Sequence, residues 1–323
     1  MKFGLLIYWD KVRNIGEYIQ SLASLPFLPQ VDQFLNKETL SSFNGEEHKL
    51  VLNGWFMHYP QNWPPSNNIN SLIVSFHISP KTKDLLLSNK AIEYYKLHEP
   101  VGCRDHDTLE LLKAKGVNAY FSGCMTLTLD KNLYTDENYQ NEIIFSDVLY
   151  SMARYNPNIT VKTLVRSILR TPKVIYQAWS KKQLINKLFP EDVRKKAKYI
   201  IQERSLKKFT HDERFDIATD FLKQLANAKL VVTSRLHTAL PCLAFGTPVI
   251  FIDGKLSRKF DSSRLSSYTE TMLNTISINE IQQKSTEELH KMVKEYAQGN
   301  PEKHLKYRKD LIERVNEFIG GDS

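Results

Sequence analysis

The stretch Lys229–Asp253, KLVVTSRLHTALPCLAFGTPVIFID, decides how the rest of the chain is read. Leu230 to Thr233 is a short apolar, β-branched run, and Ser234-Arg235-Leu236-His237 follows it. Thr238 to Phe245 is apolar and of helical length, Gly246-Thr247-Pro248 stops it, and Val249 to Ile252 is a second apolar run. The spacing predicts strand, polar turn, helix, strand. Neither strand alternates, as befits parallel strands covered on both faces of an α/β sheet. Ser234 is placed to cap the helix. Arg235 and His237 then stand in or beside its first turn, where free N–H groups and the positive end of the dipole favour an anion. Open α/β sheets bind ligands at the carboxyl ends of their strands. A cation and an imidazole at such a place read as an anion site with an acid or base beside it, or else as an ordinary solvated helix start; spacing alone does not separate the two.

The chain has 323 residues, more than one ordinary domain, so two units are expected. With 41% hydrophobic and 25% charged residues it has the composition of a soluble globular protein. No apolar run approaches the ~18 residues of a membrane span. The N-terminal MKFGLLIYWD reads as a first strand rather than a signal peptide, which predicts a cytoplasmic protein. Cys103, Cys124 and Cys242 lack the spacing of a zinc or redox site and are expected to be reduced and buried. The net charge of +8 is concentrated: Val161 to Lys208 holds 14 Lys and Arg against three acidic residues, a local +11, leaving −3 elsewhere. Its apolar residues recur at roughly helical spacing, with Tyr176 and Trp179 near the middle. A helix on an anionic membrane surface and a surface helix with a solvated basic face are equally good readings. Nucleic acid ranks behind both, because no RNP, helix-turn-helix or zinc-finger signature is present.

Taken in order, Lys2 to Trp9 reads as a strand entering a helix near Gly16, and Asn14 and Gly16 at that turn let the backbone approach a ligand. There is no GxGxxG, so a nicotinamide cofactor is not supported. Leu50 to Trp55 is a further strand with Asn53 at its end, a candidate substrate contact. Phe56 to Asn70 is a loop of the kind that shapes a substrate mouth; Trp55 and Trp63 either stack on sugar rings or pack beneath it. Ser71 to His77 is a buried strand, and a lone histidine at its carboxyl end, His77, is by position alone more often structural than catalytic. Lys90 to Glu99 is helical; Thr108 to Lys115 is a second helix, capped by Asp105 or Asp107, with Arg104 just before it. Asn118 to Asp130 reads as strand, turn and strand, and a linker near Lys131 to Asn141 divides the chain into units 1–135 and 136–323. Phe215 to Asn227 and most of Ile278 to Glu317 are helical, while Arg258 and Arg264 sit in a basic loop within reach of a phosphate. Two βα layers facing one another leave a cleft.

Thr233-Ser234-Arg235-Leu236-His237 resembles the Ser-x-Arg-Leu-His signature of the polysaccharide pyruvyl transferase family, one residue shorter than usual. Asn14-Ile15-Gly16-Glu17 resembles the family's Asn-x-Gly-Asp start, with Glu17 where Asp is commoner, and Arg104, Asp105 and Thr108 resemble its Val-x-Arg-Asp-x-x-(Ser/Thr) block. The resemblance runs from Phe3 to about Asp253. It implies two Rossmann-like domains facing a cleft, in the manner of GT-B glycosyltransferases, with a C-terminal helix returning to the first domain. It also implies transfer of pyruvate from phosphoenolpyruvate to two hydroxyls of a sugar, in a bacterial-type surface polysaccharide or a polyprenyl-diphosphate-linked precursor, with no cofactor and no metal. In that reading Arg104 and Arg235 clamp the donor across the cleft and His237 is general acid and base, while His77, Asn14, Gly16, Ser234 and Asn53 bind substrate. The protein would work in the cytoplasm, or peripherally on the inner face of the membrane. The alternatives are a GT-B glycosyltransferase using a nucleotide sugar and a noncatalytic protein that binds a membrane or RNA.

Overall fold

The computed structural model describes residues 1–139, 141–150, 172–254 and 262–321, and the side chains of 172–175 and 262–264 are not among what it describes. The expectations for residues 161–171, for Arg258 and for the Arg264 side chain lie outside the described residues. Buried apolar strands dominate what is described. In the first sheet β1 is Lys2–Ile7, β2 Gln33–Asn36, β3 His48–Phe56, β4 Ile69–Ile78, β5 Val101–Cys103 and β6 Ala119–Phe121, in the order β2-β1-β3-β4-β5-β6. In the second, β7 is Ile143–Ser146, β8 Lys198–Ile200, β9 Leu230–Thr233, β10 Val249–Asp253 and β11 Asn274–Ser277, in the order β11-β10-β9-β7-β8. All these ladders are parallel. The central strands β3, β4 and β9 are buried along nearly their whole length, which is why their sequences do not alternate.

Both sheets reverse their strand order at one place, between β1 and β3 in the first and between β7 and β9 in the second. Crossovers leave in opposite directions there, so the carboxyl ends of the two strands open a crevice. Helix Gly16–Ser24 follows β1 and is almost wholly buried, because it lies between its own sheet and helix His211–Ala226 of the second unit. Tyr18 Oη meets His211 Nδ1 at 2.8 Å and accepts from Arg214 Nη1 at 3.2 Å, with Phe215 edge-on to the Tyr18 ring. Leu6, Ile19 and Leu22 belong to the same hydrophobic cluster as Phe221, Leu225 and Leu240, so the two sheets share one core. Helix His304–Gly320 spans the seam: Leu311 and Val315 are buried, Arg308 donates to Ala244 O, and Phe318 O accepts from Lys49 Nζ at 2.8 Å.

Several expectations change. Only β6 forms within Asn118 to Asp130; Met125–Thr128 is a 3-10 turn instead of a second strand. The basic segment is not one helix, for its described part divides into helix Pro172–Leu188, helix Glu191–Lys196 and the edge strand β8. Leu184, Ile185 and Leu188 bind the first of these to the far face of the second sheet, while Tyr176 and Trp179 are 66% and 57% exposed. All three cysteines are buried and free.

Lys181, one of the charges counted as solvated, is buried. Burial pulls its ammonium down from 10.5 to about 8, against the opposing attraction of Asp147. Below about pH 8 the folded state therefore holds a charge that burial disfavours, and the penalty is relieved as pH rises from there towards the unfolded value. Lys181→Met is expected to raise Tm at pH 7 by about 2 °C or more, a gain that shrinks at higher pH. Thermal unfolding of the variant across this range checks it; no gain at pH 7 would contradict the assignment.

Candidate active site

The two crevices face each other and enclose a cavity of about 360 Å³. Asn14, Glu17, Trp55, His77 and Arg104 line it from the first unit, and Gln202, Arg235 and His237 from the second.

Arg104 lies immediately after β5 and is 2% exposed. Its Nη1 donates to Gln20 Oε1 at 3.0 Å and contacts His237 Nε2 at 3.5 Å, whereas Nε and Nη2 have no hydrogen-bond partner. Those two N–H groups form the side-on edge by which a guanidinium grips a carboxylate or phosphate. Gln20 is held in turn: its backbone carbonyl accepts from Asn53 Nδ2 at 3.0 Å, and Gly54, at φ +97, leaves room where a Cβ would fall 2.7 Å from Gln20 Oε1. Tyr268 Oη donates to the Arg104 carbonyl at 2.7 Å from the second unit.

Asp105 caps helix His106–Lys113 by accepting from Thr108 N through Oδ1, and its Oδ2 lies 2.6 Å from His77 Nδ1. The carboxylate is fully buried. Burial pushes its pKa up, but the hydrogen bond and charge of His77, with Thr108 N and Arg104, more than offset this and hold it below the usual range. His77, with Nδ1 held on that carboxylate, also lines the cavity.

Arg235, not Ser234, is the N-cap residue of helix Leu236–Phe245, and no side chain caps that helix. Ser234 instead ties the second sheet together, donating to Ile252 O at 2.6 Å and accepting from Leu149 N at 2.9 Å. Arg235 is paired twice, Nε with Asp147 at 3.2 Å and Nη2 with Glu203 at 2.8 Å, and its guanidinium stacks on Tyr150 at 3.6 Å. Two carboxylates offset its charge, one of them shared with Arg13 at 3.9 Å. Asn53 is 1% exposed and does not line the cavity; its ordered role is to hold Gln20.

Asn14 Oδ1 accepts from Gly16 N at 2.9 Å and from Gln202 Nε2 at 2.5 Å, and Gln202 Oε1 accepts from Thr238 Oγ1 at 2.8 Å. This chain of bonds crosses from the first unit to the helix that carries His237. A Cβ on Gly16 would meet His237 Nδ1 and Gln202 Nε2 at 2.6 Å each, so glycine is what allows the imidazole to sit against the start of helix Gly16–Ser24. Glu17 pairs with Lys37, a buried cation whose Nζ also donates to Trp55 O at 2.8 Å. Gln202, Asp147 and Glu203 escaped sequence reasoning, since each carries meaning only through a partner in another segment. Among the described residues no cluster of three or more His, Cys, Asp or Glu is placed to hold a metal ion, and no helix is long and apolar enough to cross a membrane.

A model of the polysaccharide pyruvyl transferase family matches residues 14–255, a span that takes in His77, Arg104, Arg235 and His237. No functionally curated protein matches the chain. Among solved structures, an uncharacterised protein of Klebsiella pneumoniae is similar at 14% identity and a TM-score of 0.47, over 85% of this chain and 92% of that one.

Proposed function

Because the chain belongs to the polysaccharide pyruvyl transferase family, we propose that it moves the pyruvyl group of phosphoenolpyruvate onto two hydroxyls of a sugar, closing a ketal and releasing phosphate. The buried Nε–Nη2 edge of Arg104 carries this reading, because a guanidinium removed from water with that edge unmatched gains most from a planar oxyanion. Phosphoenolpyruvate offers both a carboxylate and a phosphate, and lining side chains shift slightly to let one of them reach that edge. Arg235 also lines the cavity and reaches the donor with Nε and Nη2 already engaged by Asp147 and Glu203, so its charge is partly offset there. Two parallel-sheet units meeting at a cleft support a GT-B-like arrangement.

In the chemical steps, an acid delivers a proton to the terminal methylene of the donor, making it a methyl group and leaving oxocarbenium character on the adjacent carbon. One sugar hydroxyl attacks that carbon and gives up its proton to a base. The bond to the phosphate oxygen then breaks, phosphate leaves with one proton, and the second hydroxyl closes the ketal as it loses its own. The two imidazoles divide this work. Both line the cavity, His77 oriented by Asp105 and His237 beside the Arg104 guanidinium, and together they supply the acid and the base. The Arg104 cation also offsets negative charge on the departing phosphate. No cofactor enters the scheme.

The acceptor is a bacterial-type surface polysaccharide or its polyprenyl-diphosphate-linked precursor, met at the inner face of the cytoplasmic membrane. The exposed Tyr176 and Trp179, on a helix with Lys182 and Lys187, support contact with anionic lipid. Co-sedimentation with phosphatidylglycerol vesicles is expected to fall several-fold in Tyr176→Ala/Trp179→Ala; undiminished binding would remove the membrane contact.

The activity is tested by phosphate release from phosphoenolpyruvate against lipid-linked and soluble galactosides, mannosides and N-acetylhexosamines, with mass spectrometry of the sugar. Acceptor-dependent phosphate and a sugar heavier by pyruvate less one water are expected. His77→Gln and Asp105→Asn should each lower kcat by about a hundredfold, with the double variant no worse than either, because Asp105 acts through His77. Consumption of a nucleotide sugar without phosphate release from phosphoenolpyruvate would overturn the reading.

A further inference from the structure

Among the aromatic rings near the cleft, two groups have opposite environments. Phe56, Trp63, Phe76 and Tyr95 pack on one another inside the first unit, and all are buried. Trp9, Trp55, His58 and Tyr59 form a second cluster at the carboxyl edge of β1 and β3, where His58 and Tyr59 are exposed, Trp9 and Trp55 half-buried, and Trp55 lines the cavity. The His58 ring stands 4.6 Å from Trp55 and 5.2 Å from Trp9, and Tyr59 meets Trp9 at 5.8 Å and 81°.

This exposed cluster is fixed from below at some cost. Glu38 is 3% exposed and accepts from the backbone N–H groups of His58 at 3.2 Å and Tyr59 at 2.9 Å, while its own carbonyl accepts from Asn62 Nδ2 at 2.7 Å. The adjacent Lys37 holds the Trp55 carbonyl. Two consecutive buried charges thus immobilise the segment that carries the rings. Fixed aromatic side chains at a wet edge form a binding surface with little ordering left to do.

We propose that Trp9, Trp55 and Tyr59 form a stacking subsite for a pyranose ring of the saccharide acceptor, beside the cavity that Trp55 lines. This rests on the acceptor reading above. A pyranose presents an apolar face of C–H groups and an equatorial girdle of hydroxyls, so it lies on one aromatic face with a second ring upright beside it. The 81° corner between Trp9 and Tyr59 has that shape, whereas a nucleobase is best held in a slot between parallel rings. His58 supplies a polar partner for the girdle. Although the residue as a whole is exposed, partial loss of water around the ring, and less strongly Lys37, hold its imidazole towards the neutral form against the pull of Glu38 and Glu17, so it can both donate and accept. Lys11 sits over the Trp9 ring at 4.8 Å and, being exposed, can swing aside.

Saturation-transfer NMR on the full chain tests this, with the methyl glycosides of galactose, mannose and N-acetylglucosamine as probes and uridine monophosphate as the competing ligand. Transfer to ring C–H protons of at least one glycoside is expected. It should fall about fivefold or more in Trp9→Ala and in Tyr59→Ala and persist in Trp9→Phe, with Tm unchanged in the exposed Tyr59→Ala variant. Undiminished transfer in both alanine variants, transfer to the nucleotide base in place of the glycosides, or no transfer to any probe would overturn it. Phosphoenolpyruvate binding, measured on the same samples, should be unaffected in Tyr59→Ala; if the donor fails to bind even the unaltered protein while a glycoside does, the donor chemistry fails and the subsite stands.

Discussion

A guanidinium held out of water with three of its five N–H donors unmatched is the constraint around which this molecule is arranged. Transferring such a charge to the interior costs several kcal/mol unless its hydrogen bonds are completed. The protein supplies partners to one side of Arg104 only, Gln20 and His237 at Nη1. Everything nearby serves to keep the geometry: Asn53 and Gly54 position Gln20, Tyr268 ties down the Arg104 carbonyl, and Asp105 begins the helix that follows. Since these contacts come from both units, the site exists only where the two sheets are docked.

The docking has a simple topological basis. Each sheet has a single reversal of strand order, and the residues that build the site cluster at the carboxyl ends of the flanking strands: Asn14, Gly16 and Trp55 at one, Asp147, Ser234 and Arg235 at the other. The bonded series Gly16–Asn14–Gln202–Thr238 joins these two places, and the missing side chain of Gly16 lets His237 close the gap. Arg235 has a different character. Shared between Asp147 and Glu203 and stacked on Tyr150, it secures the second unit's loops as much as it offers charge to a ligand.

Local chemistry was legible in the sequence wherever it was self-contained. The apolar runs of β9 and β10 match covered strands, Gly246 stops its helix at φ +68, and Asp105 is one of the two caps the sequence offers. Legibility ended where a side chain is defined by a distant partner. Ser234 has the right residue type and place for a cap, but a buried carbonyl, Ile252 O, takes its hydroxyl. Arg235 is matched by carboxylates 88 and 32 residues away, and His77 by one 28 residues away. β8 and Gln202 were hidden within a segment whose basic composition suggested a continuous surface helix.

Calorimetric titration of phosphoenolpyruvate into the protein without any sugar, compared with Arg104→Gln at matched ionic strength, addresses the unmatched edge most directly. Saturable binding that weakens at least about tenfold in the variant, with Tm equal or higher because a buried charge has been removed, is the predicted result. Equal affinity in the two proteins, or no binding to the unaltered one, would contradict the account.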